Sequence, residues 1–344
     1  MASRLSRLSR LKAALGAPVA RAALVASLAF VAACGGDDPV SPGPTQPGAF
    51  RKGVSISPRT FTLPGLQEFV ARAHEAGELL TWAGAWNEVN GDSSSSPSII
   101  YTLARGEDFV PVVEAAFYNA ETGRLILPLT PEVRASYKNG AAAFADRHKP
   151  PYLALGIEVN LVADNLPTDF ELFVDLFSET YDAVKAVSPS TKVFTIFQLE
   201  QLKGLRGGLF GGVNDTTTAR WDLLDRFPKA DLIGFTSYPG LIYMDPSEIP
   251  ANYYAEIASR TSKPIAITEL GWSANSTIAG WESDDAEQAG FVARFFELME
   301  PLRDRSEMVV WSFLFDQELD DPFTGIGLRR PDGSARPAWD AWLD

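Results

Sequence analysis

The sequence predicts an α/β fold, a (β/α)8 TIM barrel, and three observations carry that prediction. Eight short runs rich in β-branched and aromatic residues alternate with helical patterns from residue 53 to the C terminus. The runs are continuously apolar, as strands are when helices cover one face and a barrel interior the other. About 290 residues are left for the folded part, the length that eight strand–helix units occupy. An open doubly wound sheet would share this element order. It usually carries a phosphate-cradling glycine motif after its first strand, and "GVSISPRTF" has none.

The elements follow in order. "GVSISP" at 53–58 is the first strand, and "LPGLQEFVARAHEAG" the first helix, with Leu66, Phe69, Val70 and Ala73 at helical spacing and Gly77 as its stop. "ELLTWAGAW" at 78–86 and "FVPVVEAAFY" at 109–118 are strands two and three. A helix over 131–148 leads to "YLALGIEVN" at 152–160, strand four. The next helix has an apolar stripe of Phe170, Phe173, Val174, Phe177, Tyr181 and Val184, and Thr168 with Glu171 reads as its capping box. "KVFTIFQL" at 192–199 is strand five, followed by a Gly-rich loop at 204–214 that reads as a mobile rim loop and a helix near 219–227. "ADLIGFTSYP" at 230–239 is strand six, and a helix with Tyr253, Tyr254 and Ile257 precedes strand seven, Pro264 to Thr268, which stops on Glu269. A helix marked by Phe291, Val292, Phe295, Phe296 and Met299 precedes "MVVWSFLFD" at 308–316, strand eight, and "RPAWDAWL" closes the chain.

The N terminus reads as separate from this fold. Residues 1–33 run from a basic start through an apolar middle to small residues, as a secretion signal does. Val31, Ala32 and Ala33 precede Cys34, the only cysteine of the chain. The arrangement resembles the lipobox of bacterial lipoproteins, which implies lipidation of Cys34 and an extracytoplasmic protein anchored to a bacterial membrane by that lipid alone. Residues 34–49 are rich in Pro and Gly and read as a flexible tether, leaving 50–344 as the barrel.

Composition excludes several functions. The chain carries a net charge of −14; without the five basic residues of the leader, 25 basic residues face 44 acidic ones, a net of −19. Such a surface repels phosphate backbones, so nucleic acid is not an expected partner. Two histidines, His74 and His148, and one cysteine are too few for a zinc or copper centre, and nothing points to a metal or organic cofactor. Both histidines sit in or near the end of helical patterns and read as structural. A monomer is expected.

Barrel active sites lie at the C-terminal strand ends. Those ends carry Ser57 and Arg59; Trp82, Trp86, Asn87 and Glu88; Glu114, Phe117, Tyr118 and Asn119; Glu158 and Asn160; Gln198 and Glu200; Ser237 and Tyr238; Glu269 and Trp272; and Trp311, Phe313 and Asp316. Aromatic rings among carboxylates, with few cations, suit uncharged sugar faces. One carboxyl group can protonate a glycosidic oxygen while a second attacks the anomeric carbon; about 5–5.5 Å between them gives retention and about 6.5–9.5 Å inversion. Glu269 could equally be the solvated start of a loop.

"PIAITELGW" resembles the seventh strand of the clan of retaining barrel glycosidases that includes cellulases, endo-mannanases and endo-galactanases. "DLIGFTSYP", "MVVWSFLFD" and "YLALGIEVN" resemble its sixth, eighth and fourth strands in order. The resemblance implies Glu269 as nucleophile, Glu158 as acid/base, Tyr238 as the support of the nucleophile and Trp311 as the sugar platform. Trp272, Asn160, Trp86, Trp82, Phe117, Glu200 and Asp316 are the further candidates for binding substrate, with Glu88 and Glu114 in reserve. The implied activity is retaining β-glycoside hydrolysis, endo-acting on a polysaccharide. One departure stands out: most of the clan has Asn directly before the acid/base Glu, and here that residue is Ile157. It keeps open a different class, a non-catalytic glycan-binding surface lipoprotein of an uptake system.

Overall fold

The structure, a computed structural model, describes residues 50–344 except Glu121. The leader, Cys34 and the tether lie outside the described residues.

Eight parallel strands close into a barrel in which each strand pairs with its neighbours in sequence. They are β1 (Lys52–Ser55), β2 (Leu79–Ala85), β3 (Val110–Ala116), β4 (Tyr152–Leu155), β5 (Lys192–Gln198), β6 (Ile233–Ser237), β7 (Ile265–Leu270) and β8 (Ser306–Trp311). Closure of β1 on β8, with Val54 aligned to Trp311, rules out the open sheet. The outer layer holds α1 (Leu63–Ala76), α2 (Ser96–Gly106), α3 (Pro131–His148), α4 (Val159–Asn165), α5 (Pro167–Val187), α6 (Leu199–Leu202), α7 (Asp285–Met299) and α8 (Pro337–Leu343).

The caps explain where several helices start. Thr62 accepts a hydrogen bond from the Gly65 amide at the head of α1, Thr130 from Val133 at α3, and Asp284 from the Ala286 and Glu287 amides at α7. The expected capping box at Thr168 and Glu171 does not form. Pro167 opens α5 one residue earlier, Leu166 stands at the cap, and Glu171 pairs instead with Arg226 on the surface. The helices expected near 219–227 and around Tyr253 are short 3-10 turns, Trp221–Arg226 and Ala255–Ser259. Sequence reading passed over α2, whose periodic residues are interrupted by small polar ones. The Gly-rich loop is tied down where Asn214 Oδ1 accepts from the Gly207 amide at 2.7 Å.

Side-chain parity divides each strand between two cores. Leu79, Ala83, Val112, Ala116, Tyr152, Ala154, Phe194, Ile196, Ala266, Met308 and Val310 cluster inside the barrel. Their alternates, among them Val113, Ala115, Leu153, Leu155, Val193, Phe197, Ile265, Ile267, Val309 and Trp311, pack outward with the helices. The N-terminal end of the barrel is closed by a polar network: Arg51 Nη1 donates to the Tyr152 hydroxyl, which donates to Glu307 at 2.9 Å, while Lys192 pairs with the other oxygen of Glu307. The C-terminal end is left for a site.

Both histidines are structural. His74 stacks on Phe109 at 4.1 Å, and His148 shares a 3.0 Å hydrogen bond with Ser98 between α3 and α2.

Candidate active site at the C-terminal mouth

Strand β6 is the axis of the site. Its inward residues alternate, so Thr236 faces the interior. Thr236 Oγ1 donates to Glu158 Oε1 at 3.0 Å. Across the β6–β7 pair, Thr236 is also aligned with Glu269. Beyond the strand end, the Tyr238 hydroxyl donates to Glu269 Oε2 at 2.9 Å and shares a 2.8 Å hydrogen bond with Ser312 Oγ. Two acids 111 positions apart are therefore each hydrogen-bonded from residues 236–238, at and just past the end of β6. Both are nearly enclosed, each 7% exposed.

Each acid is aimed by a local irregularity. Glu158 lies past the end of β4, which stops at Leu155 rather than running to Asn160. Gly156 takes φ +89°, and Glu158 itself takes φ +53°, ψ +45°, heading α4. A Cβ at Gly156 would also come within 2.6 Å of the Phe173 ring. Two residues of left-handed backbone thus turn the chain inward and place Glu158 over the mouth. Glu269 depends on a bulge. In β7, Ile267 pairs with Phe235 and Val309, whereas Glu269 pairs with Thr236 and Leu270 with Trp311, so Thr268 is an extra residue against both neighbours. The bulge resets the alternation, letting Glu269 face in while Leu270 stays with the outward core.

The Tyr238 phenol is pushed well above its usual pKa, first by burial, then by the charge of Glu269 and, less, that of Glu158. It stays protonated and keeps its proton on Glu269; with Glu269 ionised, Ser312 is the donor to the phenol oxygen.

The other expected residues lie away from the two acids. Trp272 is 4% exposed and belongs to the helix-side core, where its ring stacks on Phe291 and its Nε1 donates to Glu287 at 3.0 Å; it also edges a narrow cleft with Tyr238, Tyr243, Trp281 and Phe323 that neither acid lines. Trp311 is no platform. It is 0% exposed, faces outward by strand parity, packs on Phe291 and Trp342, and donates to the Ile326 carbonyl. The inward residue of that strand end is Ser312. Trp82, Trp86 and Phe117 fail as binding residues for the same reason. All three belong to the outer core, with Trp86 against Tyr137 and Phe117 stacked on Phe173 at 3.9 Å.

Asn160 is corrected as well. Its amide bonds reciprocally with the Gln198 backbone, donating at 3.0 Å and accepting at 2.8 Å, and so ties α4 to β5. Asp316 accepts from the Gly327 amide and from Arg336 in a buried pair that anchors the loop after β8. Glu200 is wholly enclosed, with both carboxylate oxygens engaged by protein donors. Of the reserves, Glu114 lies buried within β3, aligned with Ala83 and Ala154, and Glu88 lies in the turn after β2.

Sequence reading missed Thr236, Ser312 and Gly271. Counting back by two from Tyr238, or forward by two from Met308 and Val310, finds the first two. Gly271 has no such signal: a Cβ there would come within 2.3 Å of Ile326 from the loop after β8, a contact only the fold creates.

No known protein family's sequence profile matches this chain, and no curated protein does. Solved structures do. The chain is similar to a family 39 glycoside hydrolase from the gut symbiont Bacteroides cellulosilyticus WH2, with 19% identity and a TM-score of 0.56 over 85% of this chain and 62% of that one. It is similar to the GH53 catalytic domain of Ignisphaera aggregans, with 15% identity and a TM-score of 0.59 over 89% and 98%. It is also similar to a Bifidobacterium dentium β-glucuronidase, with 14% identity and a TM-score of 0.56 over 86% and 46%. The chain therefore spans less than two thirds of the first and third, and nearly all of the second. At these identities the shared property is the barrel fold.

Proposed function

We propose that the chain is a retaining β-glycoside hydrolase, endo-acting on a polysaccharide and held outside the cytoplasm by lipid on Cys34. Glu269 attacks the anomeric carbon, and Glu158 gives its proton to the departing glycosidic oxygen. Glu158, now a carboxylate, takes a proton from water, which displaces Glu269 and releases the sugar with its original configuration. Tyr238 holds Glu269 by a hydrogen bond throughout.

The observation that carries this reading is the convergence of Glu158 and Glu269 on Thr236 and Tyr238 of one strand end. Each acid is bonded to a neutral hydroxyl there, an arrangement suited to proton transfer and attack. The barrel likeness to glycoside hydrolases of families 39 and 53 supports the same class.

A panel of β-glucan, β-mannan and β-galactan, followed by the appearance of reducing ends, tests the proposal. Turnover should appear on at least one polymer, with the β-anomer formed first by proton NMR, and Glu269→Gln should lower it by at least about 100-fold at unchanged fold. A Glu269→Gln protein that still cuts at near the normal rate removes Glu269 as nucleophile. One feature favours a second reading, glycan capture without cleavage: Ile157, which stands where the related glycosidases have Asn, is buried in the barrel-interior core. Saturable binding across the panel without new reducing ends would decide for it.

A further inference from the structure

Tyr238 can support Glu269 only if its own backbone is held, and the residue that holds it is Glu200. Glu200 lies in α6, directly after β5, and is 0% exposed. Its Oε1 accepts from three donors: the Tyr253 hydroxyl at 2.7 Å, Ser237 Oγ at 3.1 Å and the Tyr238 backbone amide at 3.1 Å. Its Oε2 accepts from Gln198 Nε2. Tyr254 completes the cluster by bonding Ser237 Oγ at 2.9 Å. Lys203 and Tyr243 are the other titratable groups nearby; Lys203 is committed to Glu256 and the Tyr253 carbonyl.

A buried carboxylate carries a large desolvation cost, which four hydrogen bonds offset only in part here: burial pushes the Glu200 carboxyl above its usual pKa. Two of those bonds go to consecutive residues at the end of β6, Ser237 and Tyr238. The second belongs to the residue whose phenol, at its other end, reaches Glu269 at 2.9 Å. The path is continuous: Glu200, the 238 amide, the 238 ring, Glu269. Glu200 itself touches neither Glu269 nor Glu158.

We propose that Glu200 is a positioning residue that sets the Tyr238 phenol on Glu269 by clamping the end of β6. The proposal rests on the reading of Glu269 as nucleophile for its kinetic consequences, but its geometry can be tested without turnover. Three groups then act as one device: Glu200 fixes the strand end, Tyr238 transmits the position, and Glu269 receives it. Mutational losses along such a path do not add, because each variant breaks the same link.

The test uses Glu200→Leu, Glu200→Gln, Tyr238→Phe and the Glu200→Leu/Tyr238→Phe double variant, with Glu269→Gln as the control on the functional reading. Crystal structures read the Tyr238–Glu269 distance, and kinetics on an aryl β-glycoside read kcat and KM. In Glu200→Leu the hydroxyl should move beyond hydrogen-bonding reach of Glu269, kcat should fall about 10- to 100-fold, and KM should change by less than about threefold. The double variant should be no slower than Tyr238→Phe. Glu200→Gln keeps a carbonyl for the three donors but sets its amide nitrogen against the Gln198 Nε2 donor, so it should recover part of the loss. If Glu200→Leu does not fold, Glu200→Asp, which keeps the charge but withdraws it by one methylene, is measured the same way. A phenol still on Glu269 in the Leu or Asp variant overturns the proposal. So do losses that multiply in the double variant, which would mean that Glu200 serves stability alone. Should wild-type protein cleave nothing, the functional reading fails separately, and the crystallographic distance still decides the role of Glu200.

Discussion

A glutamate at φ +53° is an uncommon residue, since side chains with a Cβ enter the left-handed region at a cost of about 1–3 kcal/mol. Glu158 stays there because Gly156 turns the chain before it and α4 follows it. The strain is what carries the carboxyl group over the mouth. Replacing Glu158 with Gly removes both the strain and the bond from Thr236. Unfolding free energy should stay within about 1 kcal/mol of wild type, or rise, while glycan hydrolysis should fall by about 100-fold or more. Denaturant titration beside a reducing-end assay measures both; a stability loss above about 2 kcal/mol would mean that the contacts of the Glu158 side chain outweigh the strain of its backbone. At the same scale, Thr236 and Ser312 were legible through strand alternation, whereas the left-handed turn at Glu158 was not, because "LGIEV" reads equally well as continuous strand.

A turn and a bulge fix the two acids, and the turn leans on a helix. Phe173 of α5 is fully buried, stacks face to face on Phe117 and presses against Gly156, so it backs the turn that bears Glu158. Phe173→Ala should destabilise the barrel by about 3–5 kcal/mol, read as a shifted denaturant midpoint. Helices α2 and α3 meet at His148, whose pKa is pushed down to about 4, first by burial and then by the Arg147 charge. The fold therefore holds the neutral ring. The stability this contributes is complete above the ordinary value near 6.5 and is lost as pH falls from there toward about 4, because the unfolded chain takes up the proton first. His148→Gln should flatten that part of the stability–pH curve; an unchanged slope would mean that the ring titrates freely in the folded protein. The strand β7 shows why element-level reading stops short. A strict alternation from Ala266 turns Glu269 outward, and only the bulge at Thr268, visible in its pairing with both neighbours, turns it in.

At the scale of the whole molecule, charge selects among substrates. With 44 acidic and 30 basic residues, the surface field repels polyanions. A neutral polysaccharide should be cut at a rate nearly independent of salt. Any turnover of a uronic-acid polymer should instead rise severalfold between about 10 mM and 150 mM salt, as the screening length shrinks from about 30 to 8 Å. A uronate polymer cut fastest at the lowest salt would mean that the mouth carries a local positive field that the net charge hides. The barrel itself follows from the same scale. Eight apolar strands with helices between them can hide both strand faces in a covered open sheet or in a closed barrel; here they close, and the end plugged by Arg51, Tyr152, Lys192 and Glu307 leaves the opposite mouth as the open one.

By itself the sequence determined the order of strands and helices and the barrel class, because hydrophobic periodicity is a local property; Glu158 and Glu269 stood out among the acids near strand ends through the resemblance to the glycosidase clan. The sequence did not determine which aromatic rings face the mouth. Trp311, Trp82, Trp86 and Phe117 stand at strand ends as a binding platform would, and parity sends all four into the helix layer. Nor did it reveal that Glu200, Asn160 and Asp316 spend their polar atoms inside the protein, since those bonds join segments distant in the chain. The tertiary structure decided these points because side-chain direction and hydrogen-bond partnership depend on register, bulges and closure, which arise only when all eight strands are in place.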